Sequence, residues 1–204
     1  MSEPIGEIVE TAVAEFTAQA YQFGQSPPFG SFVKVELPDW TAYGLVYAIR
    51  SGGVEPGLRP VVRGRDGVRD AAIYAENPDL EQVLRTEFTA LTIGFQEDAE
   101  LRTFLPPQPP PLHWSVHVCS DDEVVRLSEQ LEYFRTVLAA AQIPADALLA
   151  ANIRLARLAR AGEPDFTLRA GRELAALLKR DYARLNGILR GLRTEDWGLG
   201  TGEG

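Results

Sequence analysis

Three glycine-led runs crowd the first fifty residues and restrict what this chain can fold into more than any other feature. Gly6-Glu7-Ile8-Val9, Gly30-Ser31-Phe32-Val33 and Gly44-Leu45-Val46-Tyr47 each set a glycine at the mouth of a short β-branched or aromatic stretch. A strand that turns a barrel corner has no room for a side chain at such a point. Between the first two runs, Phe16-Thr17-Ala18-Gln19-Ala20-Tyr21 alternates apolar and polar residues, the period of a half-buried strand. The spacing predicts the opening half of a small β-barrel.

The following residues extend that pattern. Gln25-Ser26-Pro27-Pro28-Phe29-Gly30 reads as a rigid turn into a strand over 32–36, and Leu37-Pro38-Asp39-Trp40 as a second turn. Residues 43–49 are apolar on both faces, which marks the most buried strand. A glycine- and arginine-rich surface insertion is expected over 50–70. Asn77-Pro78-Asp79 offers an N-cap, a proline at the first helical position and an early acid, predicting a short helix over 78–85. Strand returns over 87–95 with Leu91, Ile93 and Phe95 on one face, completing a β domain over 1–105.

Pro106-Pro107-Gln108-Pro109-Pro110-Pro111 reads as extended polyproline II, a stiff spacer. A strand over 112–119 follows, with Leu112, Trp114, Val116 and Val118 on one face and His113, Ser115, His117 and Cys119 on the other, so 106–119 reads as linker and strand. The period then changes from 2 to 3.6. Ser120-Asp121-Asp122-Glu123 has capping-box form, and Val124, Leu127, Leu131, Phe134 and Leu138 trace one helical stripe. A second helix is expected from Pro144 to Gly162, carrying Leu148, Leu155 and Leu158. A third is expected from 165 to 192, with Leu168, Ala175, Leu178, Tyr182, Leu185, Leu189 and Leu192 on one apolar side, broken or closely packed at Gly171 or Gly187. These predict a helical bundle over 120–193 and a disordered tail over 194–204. The fold class is α+β, a small N-terminal barrel followed by helices.

Charge divides the chain. The formal charge of -9 combines an acidic stretch, residues 1–149, with a basic one, residues 150–193, and an acidic end. The basic part suits a polyanion or the chain's own acidic part. No stretch approaches the roughly 20 apolar residues of a membrane helix. The start, Met1-Ser2-Glu3-Pro4, has no secretory-signal character. One cysteine, Cys119, suits a reducing cytoplasm.

The three glycine-led runs, with the alternating strand between the first two, resemble the HAS-barrel. That barrel is shared by HerA-type DNA-translocating ATPases and the catalytic subunits of rotary ATP synthases, and the likeness covers about the first half of the chain. In those families the barrel is N-terminal and a P-loop motor follows; this chain also resembles stand-alone bacterial proteins that follow such a barrel with helices. A P-loop needs G-x-x-x-x-G-K-[ST] so that backbone amides and a lysine hold the phosphates. The only lysines, Lys34 and Lys179, do not follow glycine. The resemblance therefore implies an assembly or docking role without ATPase activity or cofactor, with a protein partner or further copies of this chain, and an ATP-driven DNA-processing machine as one client.

His113 and Cys119 would lie about 20 Å apart along one strand, too far to share an ion, and His117 with Cys119 supplies two ligands at most. Glu87 has no acid or base placed to work with it. Arg63 and Arg65, with Arg59 and Arg69 nearby, could bind an anion or an acidic partner, or neutralise Asp66 and Asp70. Arg154, Arg157 and Arg160 form one basic row, and Arg169, Arg172, Arg180 and Arg184 another. These rows could follow a nucleic-acid backbone, the alternative function, or form a face that is solvated or docked on the acidic barrel.

Overall fold

The computed structural model describes residues 3–55, 60–64, 67–161 and 163–193. Arg59, Arg65, Asp66 and the tail over 194–204 lie outside them. The chain forms two compact units, Met1–Ser120 and Asp121–Gly204.

The first unit is a closed barrel. Its strands are β1 (Gly6–Thr11), β2 (Glu15–Ala20), β3 (Phe32–Glu36), β4 (Trp40–Gly53), β5 (Leu84–Glu97), β6 (Glu100–Arg102) and β7 (Ser115–Val118). Every pairing is antiparallel, in the order β2-β1-β7-β3-β4-β5-β6. A further antiparallel ladder from β2 to β5, Glu15↔Leu91 through Gln19↔Glu87, closes six strands into a ring and leaves β6 appended to β5.

The interior holds Ile8, Phe16, Ala18, Val33, Val35, Ala42, Val46, Phe88, Ala90 and Val116, each at most 1% exposed. Small and large residues alternate because a narrow barrel cannot admit bulk at every level. The three glycines that head the sequence runs serve different needs. A Cβ on Gly6 would strike the Gln19 carbonyl on the neighbouring strand. Gly30 turns the chain with φ 88°. Gly44 sits inside β4 rather than at its mouth, at a bulge, where a Cβ would lie 3.0 Å from the Ala90 Cβ and 3.1 Å from the Phe16 ring.

Strand β5 is the most buried, with Ala90–Phe95 enclosed on both faces, against Ala42–Val46 in β4. Side chains stitch β5 to its neighbours: Thr17 and Thr89 hydroxyls share a 3.1 Å hydrogen bond, as do Ser51 and Thr86 at 2.8 Å. The Tyr47 hydroxyl donates to the Glu15 carboxylate at 2.6 Å, reaching from β4 across β5 to β2. Burial, then that carboxylate, pushes the Tyr47 phenol up to about 12.

Several segments depart from the sequence reading. Residues 50–53 continue β4, so the insertion spans 54–83 and carries α1 (Ala71–Glu76) and α2 (Leu80–Val83). Asn77 closes α1 instead of opening a helix. Its backbone N–H and side-chain amide both donate to the Ile73 carbonyl, and its side-chain oxygen accepts from Arg63. The 78–85 helix shrinks to α2 because residues 84 and 85 pair with Gly53 and Gly52. Strand β7 is shorter than 112–119, since His113 turns with φ 63°, and it fills the gap between β1 and β3. The proline run bends at 107–108, buries Pro106 and Pro110, and accepts a 2.8 Å hydrogen bond from Thr11 at the Pro110 carbonyl. It is thus part of the barrel unit rather than a straight spacer.

The second unit contains α3 (Asp121–Leu127), α4 (Tyr133–Ala139), α5 (Ala145–Ala159), α6 (Pro164–Leu177) and α7 (Tyr182–Arg193). α5 lies against the other four and buries Leu148, Leu149, Asn152, Ile153 and Ala156. Leu155 is half-buried and Leu158 is exposed, so the expected stripe was rotated. The expected first and third helices are each two helices. Gly171 and Gly187 are not the close approach; Gly191 of α7 is, since a Cβ there would lie 2.9 Å from the Ala150 Cβ on α5.

Replacing Gly44 with valine forces a branched side chain against Phe16 and Ala90, and is expected to destabilise the barrel by about 2–3 kcal/mol in urea unfolding. Gly52→Ala, where no atom lies within 4 Å of the added methyl, should leave the midpoint nearly unchanged; equal effects would contradict the packing.

Candidate functional site

Two sets of residues are candidates among the described ones. The first is the outside of the barrel. The interior is filled by its own side chains, and apolar side chains are also exposed on the outer wall. Around β1 the wall exposes Val9, Tyr21, Leu112 and Trp114. The outward side of β1 and β2 forms a shallow groove of about 310 Å³ lined by Glu7, Val9, Gln19 and Tyr21. The bulge in β1 between Ile8 and Glu10 leaves Val9 without a Cα partner on β2, and its side chain is exposed on the same side as Glu7. Neighbouring side chains are fixed: His113 Nδ1 lies 3.1 Å from the Glu7 carboxylate, and Trp114 Nε1 donates to the Glu36 carbonyl at 2.7 Å. His117 is half-buried, and Cys119 is buried beyond the end of β7, not on an outward face with His113.

The second surface is the set of helical cations, which the fold sorts into two groups. Arg160, placed by sequence in a row with Arg154 and Arg157, is buried, its side chain 2% exposed. It donates to the Ser128 hydroxyl at 2.6 Å, the Val125 carbonyl at 2.7 Å and Glu129 at 3.0 Å, and lies 4.1 Å from the Phe166 ring centroid. A buried guanidinium survives only with such partners. Arg169 takes the other side of Glu129 at 2.9 Å. Arg184 holds Asp146 through contacts of 2.6 and 3.0 Å, tying α7 to the start of α5. Hydrogen bonds from Arg169 and Arg160 hold the Glu129 carboxyl below its ordinary range. The matching bonds raise Arg169 and Arg184. In the insertion, Arg63 pairs with Asp79 at 3.1 Å and Asn77 at 3.0 Å, rather than with Asp70.

The predicted cations are therefore not one surface. Arg63, Arg169 and Arg184 are committed to carboxylates. Arg154 is half-buried, and Arg157, Arg172 and Arg180 are exposed. The basic row expected on one long helix is divided by the α6–α7 turn, which leaves Arg180 in the turn and Arg184 on the next helix. Sequence reasoning missed Tyr182, assigned to an apolar stripe and here 71% exposed, together with Lys179 and Arg190 beside it. Asp181 ahead of Tyr182 was the available signal, since its carboxylate accepts from the Arg184 N–H at 3.1 Å and caps α7.

No family model and no curated protein matches this chain. No helix among the described residues is long and apolar enough to cross a membrane.

The Glu129 assembly predicts a pH signature. A carboxyl held below its ordinary value of 4.5 stabilises the folded chain above that pH, and the contribution fades as pH falls through the lowered value. Thermal unfolding should show wild type more stable than Glu129→Gln at pH 6–7, with the gap narrowing below about pH 4.5; a gap constant down to pH 3 would remove the ion pairs as its cause.

Proposed function

We propose that this chain is a non-catalytic assembly or adaptor protein of the cytoplasm, whose barrel associates with a protein partner or with further copies of itself. The observation that carries this reading is the exposed apolar set Val9, Tyr21, Leu112 and Trp114 on a barrel whose interior is already full. Aromatic anchors of this kind are the residues that dominate protein interfaces. The likeness of the glycine-led strands to the HAS-barrel supports the same reading: a barrel of that kind, without its motor, retains the capacity to hold subunits together. An ATP-driven DNA-processing machine is the client that the likeness suggests, and fold analogy is its sole support. The sequence contains no P-loop pattern, which supports a role without ATP hydrolysis.

Sedimentation velocity over a concentration series tests self-association. The expected result is a wild-type oligomer at tens of micromolar that dissociates when Val9 and Tyr21 are both replaced by glutamate. Identical monomeric behaviour of wild type and variant would eliminate self-assembly through this wall.

A further inference from the structure

Once the paired arginines are set aside, the outer face of α7 carries a coherent strip. Tyr182, Asn186 and Arg190 follow one another at intervals of four residues, the spacing of one helical face, Lys179 stands in the α6–α7 turn ahead of them, and all four are exposed. The opposite face of α7 carries buried Leu185 and Ile188, so the direction of the strip is fixed by the core beneath it. From Tyr182 to Arg190 it runs about 12 Å. Arg180 stands beside its beginning. Among the described residues, Lys179, Arg180 and Arg190 have no carboxylate within ion-pair distance, whereas Arg160, Arg169 and Arg184 do.

The turn that presents the strip is held firmly. Leu178 is buried and donates its N–H to the Leu174 carbonyl at 2.9 Å, and the Asp181 N–H closes on the Leu178 carbonyl at 2.9 Å. Asp181 is exposed and is the one acid within this turn; its carboxylate accepts from the Arg184 backbone. Lys179, Arg180 and Tyr182 thus project from a backbone that is already ordered. The ordering entropy that a mobile basic loop would lose on binding is correspondingly small.

We propose that this strip is a binding surface for single-stranded nucleic acid. Cations at both ends suit a phosphate backbone, and the aromatic ring between them, 71% exposed, offers a face on which an unpaired base can stack. An acidic polypeptide would be drawn by the same charges but gains nothing from that ring, and bases paired inside a duplex cannot reach it. The chain's formal charge of -9 opposes any polyanion at long range, so the contact is a weak one, in the micromolar range at low salt. The inference does not depend on the role given to the barrel.

Fluorescence anisotropy of the full chain with labelled dT20, a 20-base-pair duplex and a polyglutamate peptide provides the test. With about three phosphates neutralised, the log–log salt slope for dT20 should be near -2, so affinity falls about 20-fold between 50 and 200 mM salt. The duplex and the peptide should bind at least tenfold more weakly. Tyr182→Ala should weaken dT20 binding about tenfold and Tyr182→Phe should restore it; Lys179→Glu with Arg180→Glu should abolish it. Circular dichroism should confirm unchanged helicity in each variant. No dT20 binding at 50 mM salt, an alanine variant equal to wild type, or polyglutamate binding as tightly as dT20 would each overturn the proposal.

Discussion

Five residue pairs between β2 and β5 hold the barrel shut, and the rest of the first unit depends on them. Without that ladder Phe16 and Phe88 would have no enclosed interior to fill, and burial of each contributes on the order of 2–3 kcal/mol. From residue 87 onward, the same edge of β5 is covered by different means. β2 covers 87–91, the Ala14 carbonyl accepts from Thr92 at 2.8 Å, and β6 pairs with 95–97. A 14-residue strand left with a free edge would invite strand addition by other chains. Closure also packs the interior with apolar side chains, among them Ile8, Phe16, Val46 and Phe88.

In the second unit the organising contact is a buried charge. Arg160 stands at the end of α5 and gathers the end of α3, Glu129 and the Phe166 ring of α6 around one guanidinium. Its partner Glu129 is shared with Arg169, so one carboxylate fixes two helices. This arrangement engages Arg160 and Arg169, and Asp146 engages Arg184, while Arg157 on α5, Arg172 on α6, Lys179 and Arg180 in the α6–α7 turn and Arg190 on α7 stay exposed.

The legible parts of the fold were those set by local chemistry. Alternation over 16–21 located β2, observed at Glu15–Ala20, the turn over 25–30 located β3, and the Leu37-Pro38-Asp39 turn does join β3 to β4, with the Leu37 N–H donating to the Trp40 carbonyl. The illegible parts were decided at a distance. The apolar stripe through Leu127, Leu131 and Phe134 continues past the end of α3, but Arg160 takes the Val125 carbonyl and the Ser128 hydroxyl, a choice made by a residue over thirty positions away. Asn77-Pro78-Asp79 has the composition of a helix start and yet ends one, because Asn77 bonds backward to Ile73. For the sites, spacing located the arginines but could not assign their partners. Tyr182 looked like core only while α6 and α7 were read as one helix.

Backbone hydrogen exchange of the full chain, followed by mass spectrometry, tests barrel closure most directly. The β2 and β5 segments over 15–19 and 87–91 should be among the slowest to exchange, opening only with global unfolding. Exchange of these two segments at the rate of the insertion over 67–83, while β3 and β4 stay protected, would mean that the sheet is open and would contradict the account.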